Sequence, residues 1–196
     1  MSMLLKMSEL ETERLQLRAF READLTGVAG WEGIQHAETF LEFCFRSYRE
    51  WGMGPWAMLL KESGVIAGNC GFCRIRYDRD GPELEYSGDV NYYVAQQYRG
   101  QGLATEALRL VLQFGFNDLR LTRIQGQCDP GNVSSERVMQ KAGLKFERMI
   151  AGRTIAGQMP AGAGEASPEE KLYAISREDF QALRSAAGSG AGQPQP

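Results

Sequence analysis

Residues 91–108 carry the sequence NYYVAQQYRGQGLATEAL, which predicts a strand, a short polar crossing, a glycine-rich turn and the beginning of a helix. The N-terminus of a helix presents unpaired N–H groups and a partial positive charge. Gly100 and Gly102 would let the backbone approach a ligand closely, and Arg99 adds a full positive charge beside them. The stretch therefore predicts a phosphate-binding site at the start of a helix.

The predicted helix behind this turn has one apolar face. Apolar residues recur between Ala104 and Gly115 at the spacing of a single helical face, and charged or amide residues fall on the other face. Packing of the apolar face on a sheet would hold the helix N-terminus rigidly. Two common phosphate motifs do not match, because the turn lacks the Gly-Lys-Ser/Thr of a P-loop and has Thr105 in place of the third glycine of a dinucleotide fingerprint.

The whole run from Gln96 to Ala104 resembles the acyl-coenzyme A signature of the GCN5-related N-acetyltransferases, Q/R-x-x-G-x-G/A. Gln97 would be the first residue of this signature, with Gly100 and Gly102 as its glycines. The resemblance implies that N–H groups of the turn hold the pyrophosphate of acetyl-CoA, and that the last strand residue pairs with the pantetheine arm as an added strand would. The cofactor-binding residues implied in this way are Val94, Gln97, Arg99, Gly100, Gln101, Gly102, Leu103 and Ala104.

Two further stretches resemble one branch of the same superfamily, the RimJ/RimL-like ribosomal-protein acetyltransferases. Residues 11–18 read Glu-Thr-Glu-Arg-Leu-x-Leu-Arg, which resembles the opening of that branch. Residues 132–144 resemble its Asn-x-x-Ser-x-x-hydrophobic-x-x-x-x-Gly-Phe motif, with Leu144 in place of the final Phe. Together the resemblances cover about residues 12–150.

Acetylation of an amine by a thioester requires a base for the amine, stabilisation of the carbonyl oxygen and a proton for the leaving thiolate. Residues 89–94 match the family's Glu-Ile-Gly-Tyr-Trp-Leu strand, which implies that Asp89 is the base. Asp is one methylene shorter than Glu, so a bridging water would be needed. Glu85, four residues earlier on the same strand face, is the alternative base, and a non-catalytic strand carboxylate is the third interpretation.

For the leaving group, many members of the superfamily place a Tyr seven residues after the motif's Asn. That position is Met139, which cannot donate a proton. The resemblance implies Ser135 as the substitute, although Ser135 could simply satisfy a backbone group in the first turn of a helix. Asn132 is implied to hydrogen-bond pantetheine; it is also suited to cap the helix, and both roles can hold together.

The patterns and the resemblance predict one α/β domain (α+β) of the acetyltransferase type, with a central, mostly antiparallel mixed sheet of about six or seven strands flanked by helices. We expect an N-terminal segment at 1–11, the domain at 12–184 and a disordered tail at 185–196. A Gly/Ala-rich loop is expected at 151–167. The predicted strands are 12–20, 56–61, 65–76, 83–95, 123–129 and 171–176, and the predicted helices include 21–31, 37–51 and 179–184. A long helix is predicted to follow the glycine turn and to close at residues 119–122, and another to be capped by Asn132 or Ser134 and ended by Gly143.

Composition narrows the class of protein. The 196 residues are 43% hydrophobic and 24% charged, which is ordinary for a globular protein. The net charge of −3 argues against nucleic acid as the main partner. No run approaches the roughly 20 apolar residues of a membrane span, and the first residues are too short for the apolar core of a signal peptide. We therefore expect no membrane partner and a cytoplasmic location.

The sequence gives little support for a metal site or for a hydrolase active site. Cys70 and Cys73 form a single CxxC without a second pair, so buried structural thiols are expected and no metal. His36 is the sole histidine and has no nucleophile elbow nearby, which argues against a Ser-His-Asp hydrolase.

The function expected from the sequence is transfer of an acetyl group from acetyl-CoA to a primary amine, either a protein N-terminus or a small amine. One alternative is a non-catalytic acyl-CoA-binding module, because Asp89 and Asn91 stand where Glu and Gly are usual. Another is an unrelated nucleotide-binding protein. The acceptor and the oligomeric state are left open, with a homodimer among the options.

Overall fold

A computed structural model describes residues 7–32, 36–78, 85–152 and 169–189. Most of the predicted 151–167 loop and the last residues of the predicted tail lie outside these ranges. So does most of the predicted N-terminal segment.

The residues that the structure describes form eight strands, which join in one sheet. In chain order they are β1 (Leu10–Glu11), β2 (Leu15–Ala19), β3 (Pro55–Leu60), β4 (Ile66–Asp78), β5 (Glu85–Val94), β6 (Arg123–Cys128), β7 (Lys145–Ala151) and β8 (Glu169–Ser176). Their order across the sheet is β1-β2-β3-β4-β5-β6-β8-β7, and only the β5–β6 pair is parallel. The predicted mixed, mostly antiparallel sheet is therefore confirmed.

Five α-helices and two single 3₁₀ turns connect these strands. The helices are α1 (Leu25–Ala29), α2 (Ala37–Trp51), α3 (Leu103–Asn117), α4 (Val133–Ala142) and α5 (Arg177–Ser189), and the 3₁₀ turns are Glu22–Asp24 and Gln96–Tyr98. The helices α3 and α4 begin close to where the glycine turn and Asn132 predicted them.

The structure corrects several predicted elements. The helix α3 ends at Asn117, earlier than the residues 119–122 that were predicted to close it. The sheet gains β1 and β7, and β7 includes Ala151, which was expected in the loop. Nearly every residue of β7 is exposed, so its sequence lacks the apolar alternation that marks a half-buried strand. The helix predicted at 21–31 is a 3₁₀ turn followed by the short α1, which ends at Gly30. The helix α5 runs past the predicted Arg184 through Ser189, into the segment expected to be a tail.

The sheet carries a hydrophobic core on each face. Alternate residues of β3 divide between them, because neighbouring side chains of a strand point to opposite faces. Trp56 and Met58 pack with α3, whereas Ala57 and Leu59 pack in the cluster that contains α1 and α2. Different helices therefore pack on the two faces of the sheet, and the site lies between these two helical layers. None of the helices within the described ranges is long and apolar enough to cross a membrane.

Candidate functional site

The two parallel strands β5 and β6 separate in the middle of the sheet. They pair only where Ser87, Gly88 and Asp89 face Arg123, Ile124 and Gln125. Beyond Asp89 and Gln125 the strands diverge, and a cavity of about 640 Å³ opens between them. Its wall is formed by β5, the end of β6 and the first turns of α3 and α4.

Both faces of β5 contribute to this cavity. Asp89, Asn91 and Tyr93 line it from one face, and Val90, Tyr92 and Val94 line it from the other. Tyr93 packs against the α1/α2 cluster, whereas Val90, Tyr92 and Val94 belong to the core under α3. The cavity is therefore lined by side chains from both faces of the sheet.

The backbone of Val94 faces the gap. The Ala95 N–H donates to the Ala67 carbonyl at 2.8 Å, so this pair of β5 and β4 is hydrogen-bonded. Antiparallel ladders alternate between hydrogen-bonded and non-hydrogen-bonded pairs. The next pair, Val94 with Gly68, therefore has its N–H and C=O groups directed away from β4, toward the space that β6 has left.

The glycine turn lies at the mouth of the cavity. Gly100 and Gly102 have φ of 78° and 79°, a left-handed conformation that favours glycine. A Cβ at Gly100 would meet nothing within 4 Å, so the space above the turn is open. The first helical N–H bond of α3 runs from Glu106 to the Gly102 carbonyl. The amide groups before Glu106 have no acceptor in the helix and can bind an anion such as a diphosphate.

An ion pair between Arg14 and Glu106 anchors this turn. Arg14 Nε donates to Glu106 Oε2 at 2.8 Å and Arg14 Nη1 to the Gln101 carbonyl at 3.2 Å, while the Thr12 hydroxyl also donates to Glu106. Partial burial raises the pKa of Glu106, but the hydrogen bonds from Thr12 and Arg14 outweigh it and leave the pKa below its ordinary value. The residues 11–18 that resembled a family opening thus anchor the start of α3, a contact that the sequence did not reveal.

Arg99 bends back over β5 in this structure. Its Nε donates to the Val94 carbonyl at 2.9 Å, and its guanidinium lies 5.6 Å from the centre of the Tyr93 ring. Tyr93 in turn stacks on Trp31 at 5.2 Å and donates to the Glu32 carbonyl at 2.7 Å. Arg99 is therefore beside the glycine turn, as predicted, and also in contact with residues of the α1/α2 side.

Asp89 is buried in the wall of the cavity, with 6% of its surface exposed. Gln125 Nε2 donates to its Oδ1 at 2.7 Å, Arg76 pairs with its Oδ2, and Arg74 Nη1 lies 4.0 Å from the same oxygen. These contacts fix the orientation of the carboxylate. Each oxygen of a carboxylate has about two lone pairs, so a water or an amine can still hydrogen-bond to Asp89. The sequence had suggested neither Gln125 nor Arg76 as its partner.

Ser135 and Asn132 meet at the start of α4. The Ser135 N–H donates to Asn132 Oδ1 at 3.0 Å, so the predicted helix cap is present. The Tyr92 hydroxyl donates to the Ser135 carbonyl at 2.9 Å and lies 2.7 Å from Ser135 Oγ. Burial raises the pKa of Tyr92 above its usual value, which the hydrogen bond from Ser135 offsets only partly. The phenol therefore keeps its proton at ordinary pH.

Tyr92 is the site residue that sequence reasoning missed. Met139, at the position where the resemblance implies a Tyr in many members of the superfamily, is buried. The hydroxyl of Tyr92 on β5 instead contacts the same helix, α4. The available signal was the alternation of the strand, which sends Tyr92 and Tyr93 to opposite faces.

The structure gathers most of the predicted site residues around one cavity. Gln97 and Gln101 belong to the same turn, but their side chains are exposed and are not part of the cavity wall. The side chain of Glu85 lies outside the described residues, so its role as the alternative base stays a prediction. The predicted residues that line the cavity are Asp89, Val94, Arg99, Gly100, Gly102, Leu103, Ala104, Asn132 and Ser135.

Other polar groups of the wall have no assigned role. All four cysteines are buried, as expected for structural thiols, and none forms a disulfide within the described residues. Cys73 Sγ donates to the Asp89 carbonyl at 3.3 Å. Asn69 and Asn91 also line the cavity, and both carry buried polar atoms without a hydrogen-bond partner. No group of three or more possible metal ligands occurs among the residues that the structure describes.

Known proteins resemble this chain over most of its length. It is 25% identical to the uncharacterized protein YkkB of Bacillus subtilis over 157 residues, which is 73% of this chain and 88% of YkkB. It is 23% identical to the uncharacterized N-acetyltransferase p20 of Bacillus licheniformis over 159 residues, which is 74% of this chain and 86% of p20.

Solved structures share the fold. An acetyltransferase of the GNAT family from Bacillus anthracis superposes with a TM-score of 0.67 at 22% identity, covering 87% of this chain and 99% of that one. A ribosomal-protein-S5-alanine acetyltransferase from Vibrio fischeri gives a TM-score of 0.63 at 18% identity, covering 89% and 99%.

The acetyltransferase (GNAT) domain model matches residues 14–145, which contain both sequence motifs and the whole cavity wall apart from Glu170. Family membership implies the use of acetyl-CoA, and the glycine turn at the open end of the cavity fits that substrate. The chain belongs to the GNAT family of N-acetyltransferases, in its RimJ/RimL-like branch.

Proposed function

We propose that this acetyltransferase moves the acetyl group directly from acetyl-CoA to a primary amine, which is a protein N-terminus or a small amine. The observation that carries the proposal is the cavity, lined from both faces of the sheet, where β5 and β6 separate. The thioester can enter from the glycine turn and the amine from the opposite face. The amine nitrogen then bonds to the acetyl carbon, the carbon–sulfur bond breaks, and no acyl-enzyme is needed.

The coenzyme side uses backbone groups. The free amides around Gly100 and Gly102 bind the diphosphate, and the Val94 backbone facing the gap pairs with the pantetheine arm. The Val94 carbonyl is already taken by Arg99 Nε at 2.9 Å. A carbonyl oxygen has two lone pairs, so the arm can either share this carbonyl with Arg99 or displace it, and a displaced guanidinium can turn to the diphosphate beside it.

On the acceptor side, Asp89 serves as the base. Its carboxylate is held by Gln125 and Arg76 in the cavity wall, and its free lone pairs can accept a proton from the amine through one bridging water. The alternative consistent with the same contacts is that Asp89 only orients that water. The proton that leaves the amine balances the thiol formed on coenzyme A.

Ser135 stabilises the leaving thiolate. Its hydroxyl lies in the cavity wall at the N-terminus of α4, and Tyr92 hydrogen-bonds to it at 2.7 Å. Because Tyr92 donates its phenol proton to the Ser135 carbonyl at 2.9 Å, Ser135 Oγ is the donor in its contact with Tyr92. The serine proton turns from the phenol oxygen to sulfur as the thiolate leaves. Tyr92 thereby positions Ser135 and takes over part of the role of the Tyr that Met139 replaces.

The proposal is tested by release of free coenzyme A when acetyl-CoA is mixed with N-terminal peptides, polyamines or aminoglycosides. We expect turnover with at least one class of amine. Asp89→Asn should lower kcat by roughly 100-fold or more, the usual contribution of a general base. The exposed Asp118→Asn, at the end of α3, is the matched control and should leave kcat unchanged.

A second set of variants tests the hydroxyl pair. Ser135→Ala and Tyr92→Phe should each lower kcat, and the double variant should lose little more than Ser135→Ala alone, because the two act as one unit. Activity that is unaffected by Asp89→Asn and Ser135→Ala would refute these assignments. A protein that binds acetyl-CoA but acetylates no amine would instead favour the non-catalytic module.

A further inference from the structure

The side chain of Asn69 is buried at 0% exposure, yet it makes no hydrogen bond. Neither its Nδ2 nor its Oδ1 has a partner within the described structure, and the Oδ1 of Asn91 is likewise unpaired. Buried polar groups in folded proteins are nearly always hydrogen-bonded, because losing water without a replacement is costly. An unpaired amide at such a position is a group that a ligand would satisfy.

Register places both amides on the acceptor side of the sheet. Asn69 lies opposite Tyr93, and Asn91 lies opposite Gly71 on the neighbouring strand. Side chains at alternate positions of β5 share a face, so the two amides stand on the same face as Asp89. Both residues line the cavity. This face packs against α1 and α2, opposite to the core under α3 whose N-terminus carries the glycine turn.

An amide side chain has one hydrogen-bond acceptor group and one donor group side by side. The Oδ1 atoms of Asn69 and Asn91 can accept from the N–H groups of an amine. Nδ2 of Asn69 needs an acceptor atom. The lone pair of a reacting alkyl amine is directed at the acetyl carbon, whereas a carbonyl on the carbon next to the amine provides a separate acceptor. The pair is thus complementary to an α-amino group followed by a carbonyl.

We propose that Asn69, assisted by Asn91, binds the acceptor and selects amines that carry a carbonyl on the adjacent carbon, as at the N-terminus of a peptide. This inference rests on the proposed acetyl transfer to an amine. It assigns Asn69 as the residue that determines which class of amine reacts.

The test compares kcat/KM for alanyl-alanine amide and for n-butylamine in the wild-type protein and in Asn69→Leu. Leucine has the same branching and the same number of side-chain heavy atoms but no polar group. We expect the variant to lose roughly tenfold or more on the peptide amine, the size of one to two hydrogen bonds, and to keep its value on n-butylamine. Its melting temperature should not fall, because the substitution removes a buried unpaired amide.

Asn117→Leu is the matched control, since Asn117 is exposed at the end of α3 and outside the cavity wall. It should leave the ratio of the two substrates unchanged. If Asn69→Leu does not fold, Asn69→Ala, which only removes atoms, replaces it.

The outcomes distinguish a wrong assignment of Asn69 from a wrong proposal of acetyl transfer. An unchanged substrate ratio in Asn69→Leu, with both amines still acetylated, would overturn the assignment of Asn69 and leave the acetyl transfer standing. A large fall in melting temperature without a change in the ratio would mean that Asn69 is structural. A wild-type protein that acetylates no amine would overturn the proposed function and the assignment with it.

Discussion

Substitution of Gly100 by alanine should separate coenzyme binding from folding. Gly100 has φ of 78°, and a Cβ there would meet nothing within 4 Å. The methyl group causes no clash in the free protein, so its effect on folding is the backbone strain alone, about 1–2 kcal/mol. For a chain of this length such a loss lowers the melting temperature by roughly 2–8 °C. In the complex, the same methyl projects into the space that the diphosphate is proposed to fill.

Gly64 provides a matched control. It also has a positive φ, 68°, and also has open space around a built Cβ, but it lies in the turn between β3 and β4 and not in the cavity wall. Gly64→Ala and Gly100→Ala should therefore lose similar amounts of stability in the absence of ligand. Only Gly100→Ala should lose affinity for coenzyme A, by about tenfold or more, since one blocked contact of this kind amounts to about 1.4 kcal/mol.

Thermal melts with and without coenzyme A measure both effects. At 100 times Kd the ligand adds about 2.7 kcal/mol to the wild-type stability, whereas a tenfold weaker affinity leaves only about 1.4 kcal/mol at the same concentration. Isothermal titration would give Kd directly. Equal stabilisation of the wild type and Gly100→Ala by coenzyme A would refute the assignment of the turn as the diphosphate site. An equal loss of affinity in Gly64→Ala would show that strain, and not the site, is responsible.

Two further substitutions test the framework around the site. Asp24 is buried and accepts hydrogen bonds from Arg18 at 2.7 and 2.9 Å; burial raises its pKa, but the bonds from Arg18 and from the Arg21 N–H prevail and hold the pKa below 3.8. A carboxylate whose pKa is lowered in the folded state stabilises the fold above its unfolded pKa, and this stabilisation is lost as the pH falls through the folded pKa. In urea melts, Asp24→Asn should therefore lower the free energy of unfolding by about 3 kcal/mol at pH 7 and by progressively less below about pH 4. A difference in stability that does not depend on pH would contradict the ion pair. Gly68→Ala should lower the free energy of unfolding by at least about 3 kcal/mol, the upper range for overpacking, because the added Cβ would lie 2.0 Å from the Tyr93 carbonyl oxygen. A variant that is as stable as the wild type in the same melts would disprove that close approach.

Local sequence was sufficient to predict the elements that are proposed to bind the coenzyme. The strand, glycine turn and helix of residues 91–108 follow from short-range patterns, since a positive φ favours glycine and an apolar face at helical spacing predicts packing on a sheet. The cap at Asn132 and the end of α4 at Gly143 are equally local. These signals, together with the family resemblance, identified the fold class and predicted the coenzyme side of the site.

Contacts between residues that are far apart in the chain could not be predicted in this way. The hydroxyl of Tyr92 meets Ser135 across 43 positions, and Gln125 meets Asp89 across 36. The exposed edge strand β7 and the extension of α5 also escaped prediction, because their sequences lack a distinctive periodicity.

The amino-acid sequence by itself determined which backbone segments form the glycine turn that we propose as the anion site, because glycine conformation and helix termini are properties of a few adjacent residues. Only the tertiary structure decided what the proposed catalytic side chains touch, because strand order and register bring β4, β5, β6 and α4 together. The separation of β5 from β6 beyond Asp89 creates the cavity. The same packing leaves Asn69 buried without a partner, so the acceptor side of the site is a product of the fold and not of any single motif.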